Sequence, residues 1–91
     1  MTEYRAAEQV RWAVEASGVA LIDCATGAAT TLGYPQAAIW DFLTRDESSE
    51  RIAVKMCVIA SLAPEAAQLL VLETVAALRE AGFLVPGESS G

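Results

Sequence analysis

The stretch 18-GVALIDCATGAATTL-32 decides the fold. In its first half, Val19 and Leu21 point one way and Ala20 and Ile22 the other. Apolar residues on both sides of 19-VALID-23 predict a central strand covered on both faces. The segment 23-DCATG-27 then reads as a turn. Asp23 is placed to accept from backbone donors ahead of it, and Gly27 suits the left-handed conformation of a bulged hairpin. The second half, residues 28–32, is short, small and half polar, and it predicts a third strand at the end of the sheet. Upstream, 9-QVRWAVEA-16 alternates, with Val10, Trp12 and Val14 on one face and Arg11 and Glu15 on the other. That period of two marks a first strand, turned by Ser17 and Gly18. Residues 9–16, 19–23 and 28–32 thus form an antiparallel meander.

After Gly33 the period becomes helical. Pro35 has its φ preset for a first helical turn. Ile39, Trp40 and Leu43 recur at helical spacing and predict a helix over 35–44. The acidic, serine-rich 46-DESSE-50 is a loop able to cap a second helix, whose buried stripe is Ile52, Met56 and Ile59. Pro64 opens a third helix, with Glu65 favourable in its first turn. Gly82 is its stop, and Phe83, Leu84 and Val85 are expected to fold back on the core. Segregated strands and helices make this α+β, a winged-helix-like domain with a three-stranded antiparallel sheet followed by three helices. Residues 1–8 read as a flexible N-terminus, 9–85 as the domain, and 86–91 as a flexible tail.

Composition narrows the function. The chain has 91 residues, 54% hydrophobic and 20% charged, enough for one small core. Its net charge of −6 repels phosphate backbones and counts against nucleic acid as a partner. The longest apolar run, 69-LLVL-72, is too short to span a membrane. The N-terminal 1-MTEYRAAEQV-10 lacks the apolar run of a signal peptide. Cys24 and Cys57 are far apart and read as thiols in a reducing compartment. The expectation is a cytoplasmic protein.

Enzyme chemistry is poorly supplied. There is no histidine, the commonest general base. Cys24 sits beside Asp23, and an anionic neighbour works against activating a thiol as a nucleophile. Paired cysteines, an EF-hand loop and a glycine-rich phosphate loop are all missing from the sequence. The loop 46-DESSE-50 suits solvation and capping better than calcium. No catalytic residue, metal or cofactor is expected.

Two features point to a partner instead. On the third helix Val71, Val75 and Leu78 lie together toward the core. Leu70, Thr74, Ala77 and Ala81 lie on one flank, and Leu69, Leu72 and Ala76 on the other. A surface helix has one stripe to bury, so this one either lies deep or offers apolar surface. The end strand is the second feature. Residues 28-AATTL-32 lack the charge, proline or bulge that guards an edge. An open edge near an apolar helix flank makes a groove for strand addition by a peptide. Self-association through the same edge, up to a homodimer by strand exchange, is the competing use. A winged-helix DNA-binding protein would instead need a basic recognition helix, and the third helix carries only Arg79 against Glu65, Glu73 and Glu80.

The chain resembles the PqqD-like proteins, the peptide-chaperone domains also called RiPP recognition elements. The likeness rests on 18-GVALIDCATGAATTL-32, 38-AIWDFL-43 and 71-VLETVAALREAGFL-84, in that order and spacing, and covers roughly residues 9–85. It departs at 32-LGYP-35, where the family often has Leu-Asn, and at Leu70, where an acidic residue is common. The resemblance implies non-catalytic binding of the leader segment of a ribosomally made precursor peptide. The leader would be presented to a modifying enzyme, such as a radical S-adenosylmethionine enzyme, or to a leader peptidase. A product of pyrroloquinoline-quinone type and a lasso peptide both fit. It further implies that the leader adds as a strand to Ala28, Ala29, Thr30, Thr31 and Leu32. Leu70, Glu73, Thr74 and Ala77 would then form the facing wall, with Arg79 at the rim. Arg51, Lys55 and Arg79 are the basic residues available to leader carboxylates.

Overall fold

The structure, a computed structural model, describes residues 3–87. Strand β1 (Tyr4–Ala6) leads into β2 (Val10–Glu15), β3 (Gly18–Asp23) and β4 (Ala29–Gly33). Helices α1 (Gln36–Thr44), α2 (Ser49–Ile59) and α3 (Pro64–Glu80) follow, and β5 (Leu84–Pro86) ends the described chain. The architecture is α+β. A three-stranded antiparallel sheet of order β2-β3-β4 packs against the helices, and β1 and β5 form a separate two-stranded sheet.

Register follows the alternation in the sequence. Trp12 pairs with Leu21 and Val14 with Val19, while Leu21 pairs with Thr30 and Val19 with Leu32. Paired residues share a face. Val10, Val19 and Leu21 are therefore sealed beneath the helices with Ile39, Trp40, Leu43, Ile52 and Met56, each at most 2% exposed. Trp12 closes the flank of this core, its ring edge-on to Trp40 with centroids 5.3 Å apart.

The expectation that β3 is covered on both faces fails. Ile22 is 43% exposed and Ala20 only half-buried. With Arg11, Ala13, Ala29 and Thr31 they line a shallow concavity on the outer side of the sheet. The fold has two layers, and its helices segregate to one side; the small alanines made the outer face look like core.

The N-terminal expectation is also corrected. Within residues 1–8, Tyr4–Ala6 is a strand whose Arg5 pairs with Val85, and Ala7 is buried. Three residues are too few for alternation to show in a polar segment, and the partner lies about eighty residues away in sequence. Phe83 and Leu84 fold back as expected and are buried, while Pro86 belongs to β5 rather than to a tail. Gly87, also expected in the tail, donates its N–H to the Glu3 carbonyl (3.0 Å), and residues 88–91 lie outside the described residues.

Among the helices, α1 begins one residue after Pro35. In α2 the side chain of Ser48 accepts from the Arg51 N–H, capping the first turn. Its buried stripe is Ile52, Ala53 and Met56; Ile59, expected in that stripe, is the helix's last residue and is 56% exposed. Helix α3 buries Val71, Val75 and Leu78 as its spacing predicts, with Ala67 and Thr74 beside them. Leu69 and Leu72 stay 57% and 64% exposed. Neither α2 nor β5 covers the excess, so the helix offers an apolar crest to solvent.

Candidate functional site

The site is built from an edge and a groove. The hairpin that positions the edge is fixed by Asp23. Its carboxylate accepts from the Ala25 and Thr26 N–H groups (2.9 and 3.2 Å) and from the Gln9 side-chain amide (3.2 Å). Burial works to raise its pKa, but these donors outweigh it and hold the carboxyl below the usual range. Gly27, at φ 79°, adopts the left-handed conformation that the bulged turn needs. At the other end of the ladder Gly18 packs against the backbone of β4, and a Cβ there would overlap the Leu32 carbonyl oxygen.

Backbone alternation identifies which groups of β4 are open. The Asp23 N–H donates to the Ala28 carbonyl (2.8 Å), and the Cys24 N–H to the Gln9 carbonyl (2.9 Å). In an antiparallel ladder such pairs alternate. Thr30 and Leu32 therefore direct their main-chain groups at β3. Ala29, Thr31 and Gly33 direct theirs away from the sheet. No hydrogen bond from elsewhere among the described residues reaches those outward groups. Ala28 precedes β4, and both its polar groups are used in the turn, its N–H on the Thr26 hydroxyl (3.2 Å). Of the five residues expected at the edge, Ala29 and Thr31 carry open groups. Gly33 joins them and was not anticipated.

The groove begins where β4 ends. A cavity of about 680 Å³ is lined by Tyr34, Pro35 and Ala38 at the start of α1, Ile59 and Leu62 around the end of α2, and Leu69, Leu70 and Glu73 of α3. Its volume falls in the range of ligand sites and its wall is mostly apolar. Tyr34 is 57% exposed, so its ring is available at the mouth. Leu70 and Glu73, expected on the facing wall, are here. Thr74 is not: it is 6% exposed and its hydroxyl donates to the Leu70 carbonyl at 2.7 Å. Ala77 is exposed one turn beyond the groove. The guanidinium of Arg79 sits over the Tyr4 ring, 5.7 Å from its centroid. Tyr34, Ile59, Leu62 and Leu69 also line the groove and are not among the expected wall residues, since the spacing places Pro35 in a first helical turn, Ile59 in the buried stripe of α2 and Leu69 on the opposite flank of α3.

The electrostatics are spare. Arg51 and Lys55 both lie near the Glu47 carboxylate, at 3.5 and 3.2 Å, and Lys55 also sits over the Phe42 ring. Neither reaches the groove, where Glu73 is the one charged residue of the lining. The described residues contain no cluster of His, Cys, Asp or Glu able to hold a metal ion. No helix among them is long and apolar enough to cross a membrane. With its single basic side chain engaged on Tyr4, α3 presents an apolar and acidic face rather than a basic one. Such an arrangement can pair with an extended backbone and seat apolar side chains.

No family model matches the sequence, and no curated protein matches it either. Solved structures do match in fold. One is a lasso peptide synthetase B1 complexed with the leader peptide, at 23% identity and a TM-score of 0.86, covering 92% of this chain and 99% of that one. Another is TbiB1 in complex with the TbiA(beta) leader peptide, at 20% identity and a TM-score of 0.85, covering 93% of this chain and 99% of that one. The chain therefore shares, nearly end to end, the fold of two proteins determined with leader peptides bound.

Proposed function

We propose that this protein binds the leader segment of a ribosomally synthesised precursor peptide by strand addition and performs no chemistry itself. The observation that carries the reading is the unguarded β4 edge, whose last residue, Gly33, directly precedes Tyr34 of the apolar groove. Main-chain groups of Ala29, Thr31 and Gly33 would set the register of an added strand, and the groove would select its apolar side chains. The resemblance to PqqD-like recognition elements and the leader-bound state of both structural neighbours support the same reading.

Because one neighbour is a lasso peptide synthetase B1 complexed with the leader peptide, a lasso-type leader is the first to test. Holding the leader raises the local concentration of the attached core peptide for a modifying enzyme or leader peptidase. The other residues of the expected wall, Thr74, Ala77 and Arg79, would act through packing or at the rim. The test is an NMR titration with leader segments encoded by short reading frames beside the gene. Shifts concentrated at Ala29, Thr31, Gly33, Leu69 and Leu70 support the proposal. Shifts confined to the outer sheet face, or none with any such segment, reject it.

A further inference from the structure

The sheet has a second edge, and it is built differently. Strand β2 pairs with β3 through Arg11, Ala13 and Glu15, as the Cys24 N–H bond to the Gln9 carbonyl and the alternation require. The main-chain groups of Val10, Trp12 and Val14 therefore point away from the sheet. Val10 is sealed: its N–H donates to the Ala7 carbonyl (3.0 Å), and its carbonyl accepts from the Arg11 guanidinium (3.0 Å). Trp12 and Val14 are not sealed by any bond outside the ladder among the described residues. Their side chains are 41% and 66% exposed, though both belong to the face that elsewhere forms the core. Helix α1 packs mainly over β3 and β4 and meets β2 through the edge-on Trp40–Trp12 contact and a small cavity beside Val14, which leaves the outer sides of Trp12 and Val14 exposed.

We propose that β2 is a self-complementary edge through which two copies of this chain pair, antiparallel and two-fold symmetric, into a continuous six-stranded sheet. The occupant follows from the sequence of the strand, 10-VRWAVE-15. Pairing centred on Ala13 of both copies sets Trp12 opposite the partner's Val14, and both residues direct their bonding groups outward. Each such pair can exchange both N–H···O bonds, so the register suits the hydrogen-bond phase of the edge. The same register sets Arg11 opposite the partner's Glu15, and Glu15 opposite the partner's Arg11, on the other face. Opposite charges directly across a pair stabilise it, and like charges oppose it. Shifting the register by one residue loses both the bonding phase and the charge match. Trp12 and Val14 would bury their exposed surface against each other beneath the sheet. The edge is short, so the dimer is a weak, concentration-dependent one. It leaves β4 free.

The experiment is sedimentation velocity on the full chain from low micromolar to millimolar concentration, with circular dichroism on every variant to confirm folding. Unmodified protein should show a reversible monomer–dimer equilibrium. Val14→Pro removes an outward N–H without touching the β2–β3 ladder and should leave a folded monomer. Arg11→Glu should weaken the dimer roughly tenfold, because it sets like charges opposite each other twice. The double exchange R11E/E15R should restore it, an outcome no purely structural role for Arg11 produces. The proposal is overturned by a monomer at every concentration. It is equally overturned by a dimer that survives Val14→Pro but is lost in Thr31→Pro, which would place pairing on β4, or by failure of the double exchange to rescue.

Discussion

Replacing Thr31 by proline separates the edge from the fold. The Thr31 N–H faces away from β3, so the change leaves the β3–β4 ladder intact, and proline is tolerated on edge strands. Thr31 is exposed, and no packing is lost. For a strand added to β4 the consequences are larger. One hydrogen bond disappears, a net loss of about 0.5–1.5 kcal/mol, and the ligand carbonyl that it served is buried without a donor, which costs about 1–3 kcal/mol. Together these come to about 2–4 kcal/mol, or roughly 30- to 1000-fold in affinity. Thr30→Pro is the control. Its N–H bonds β3, so that substitution attacks the sheet, and a domain of this size holds only on the order of 5–14 kcal/mol in all. Calorimetric titration of a leader that binds the unmodified protein, with an amide fingerprint of each variant, reads both effects. A folded Thr31→Pro protein whose affinity stays within twofold of the original would falsify strand addition at β4.

Three further outcomes follow from the same geometry. Leu69→Ala and Tyr34→Ala remove exposed groove walls, so each should weaken leader binding by about 1 kcal/mol, some fivefold, while the thermal midpoint barely moves; equal binding in both would take the groove out of the site. Gly18→Ala forces a Cβ into the Leu32 carbonyl and should destabilise the domain by about 2–4 kcal/mol, measured by urea unfolding, with leader binding lost at temperatures where the fold is lost. Asp23 has a depressed folded-state pKa, so its contribution is complete above the ordinary carboxylate value of 3.8 and disappears as pH falls through the lower folded value. The gap in thermal midpoint between the natural protein and Asp23→Asn should therefore narrow on acidification below that range, and a gap independent of pH would show that the charge does not stabilise the turn.

What the sequence made legible, and what it hid, divides along a physical line. Local periodicity and turn chemistry carried the meander, the three helices and the buried stripe of α3, because each is written within a few neighbouring residues. Features that need a distant partner were hidden. Strand β1 is invisible without β5, and Ile22 looked buried because nothing in 19-VALID-23 says that the helices all gather on one side. The site shows the same division. Its edge could be read from the absence of guards in 28-AATTL-32, but the choice between Thr30 and Thr31 is a matter of hydrogen-bond phase, fixed by the bond from Asp23 to Ala28. The groove required three separate segments to meet: the start of α1, the end of α2 and the crest of α3. The one hint was excess, an apolar run that wraps farther round its helix than a core stripe needs. Ile59 and Leu69, both in the groove, remain exposed in a small domain that has scant stability to spare, and their exposure is unfavourable in the free protein. Surface of that kind is what a bound extended peptide would cover, so Ile59 and Leu69, which depart from the core pattern, are also positions that such a peptide would bury.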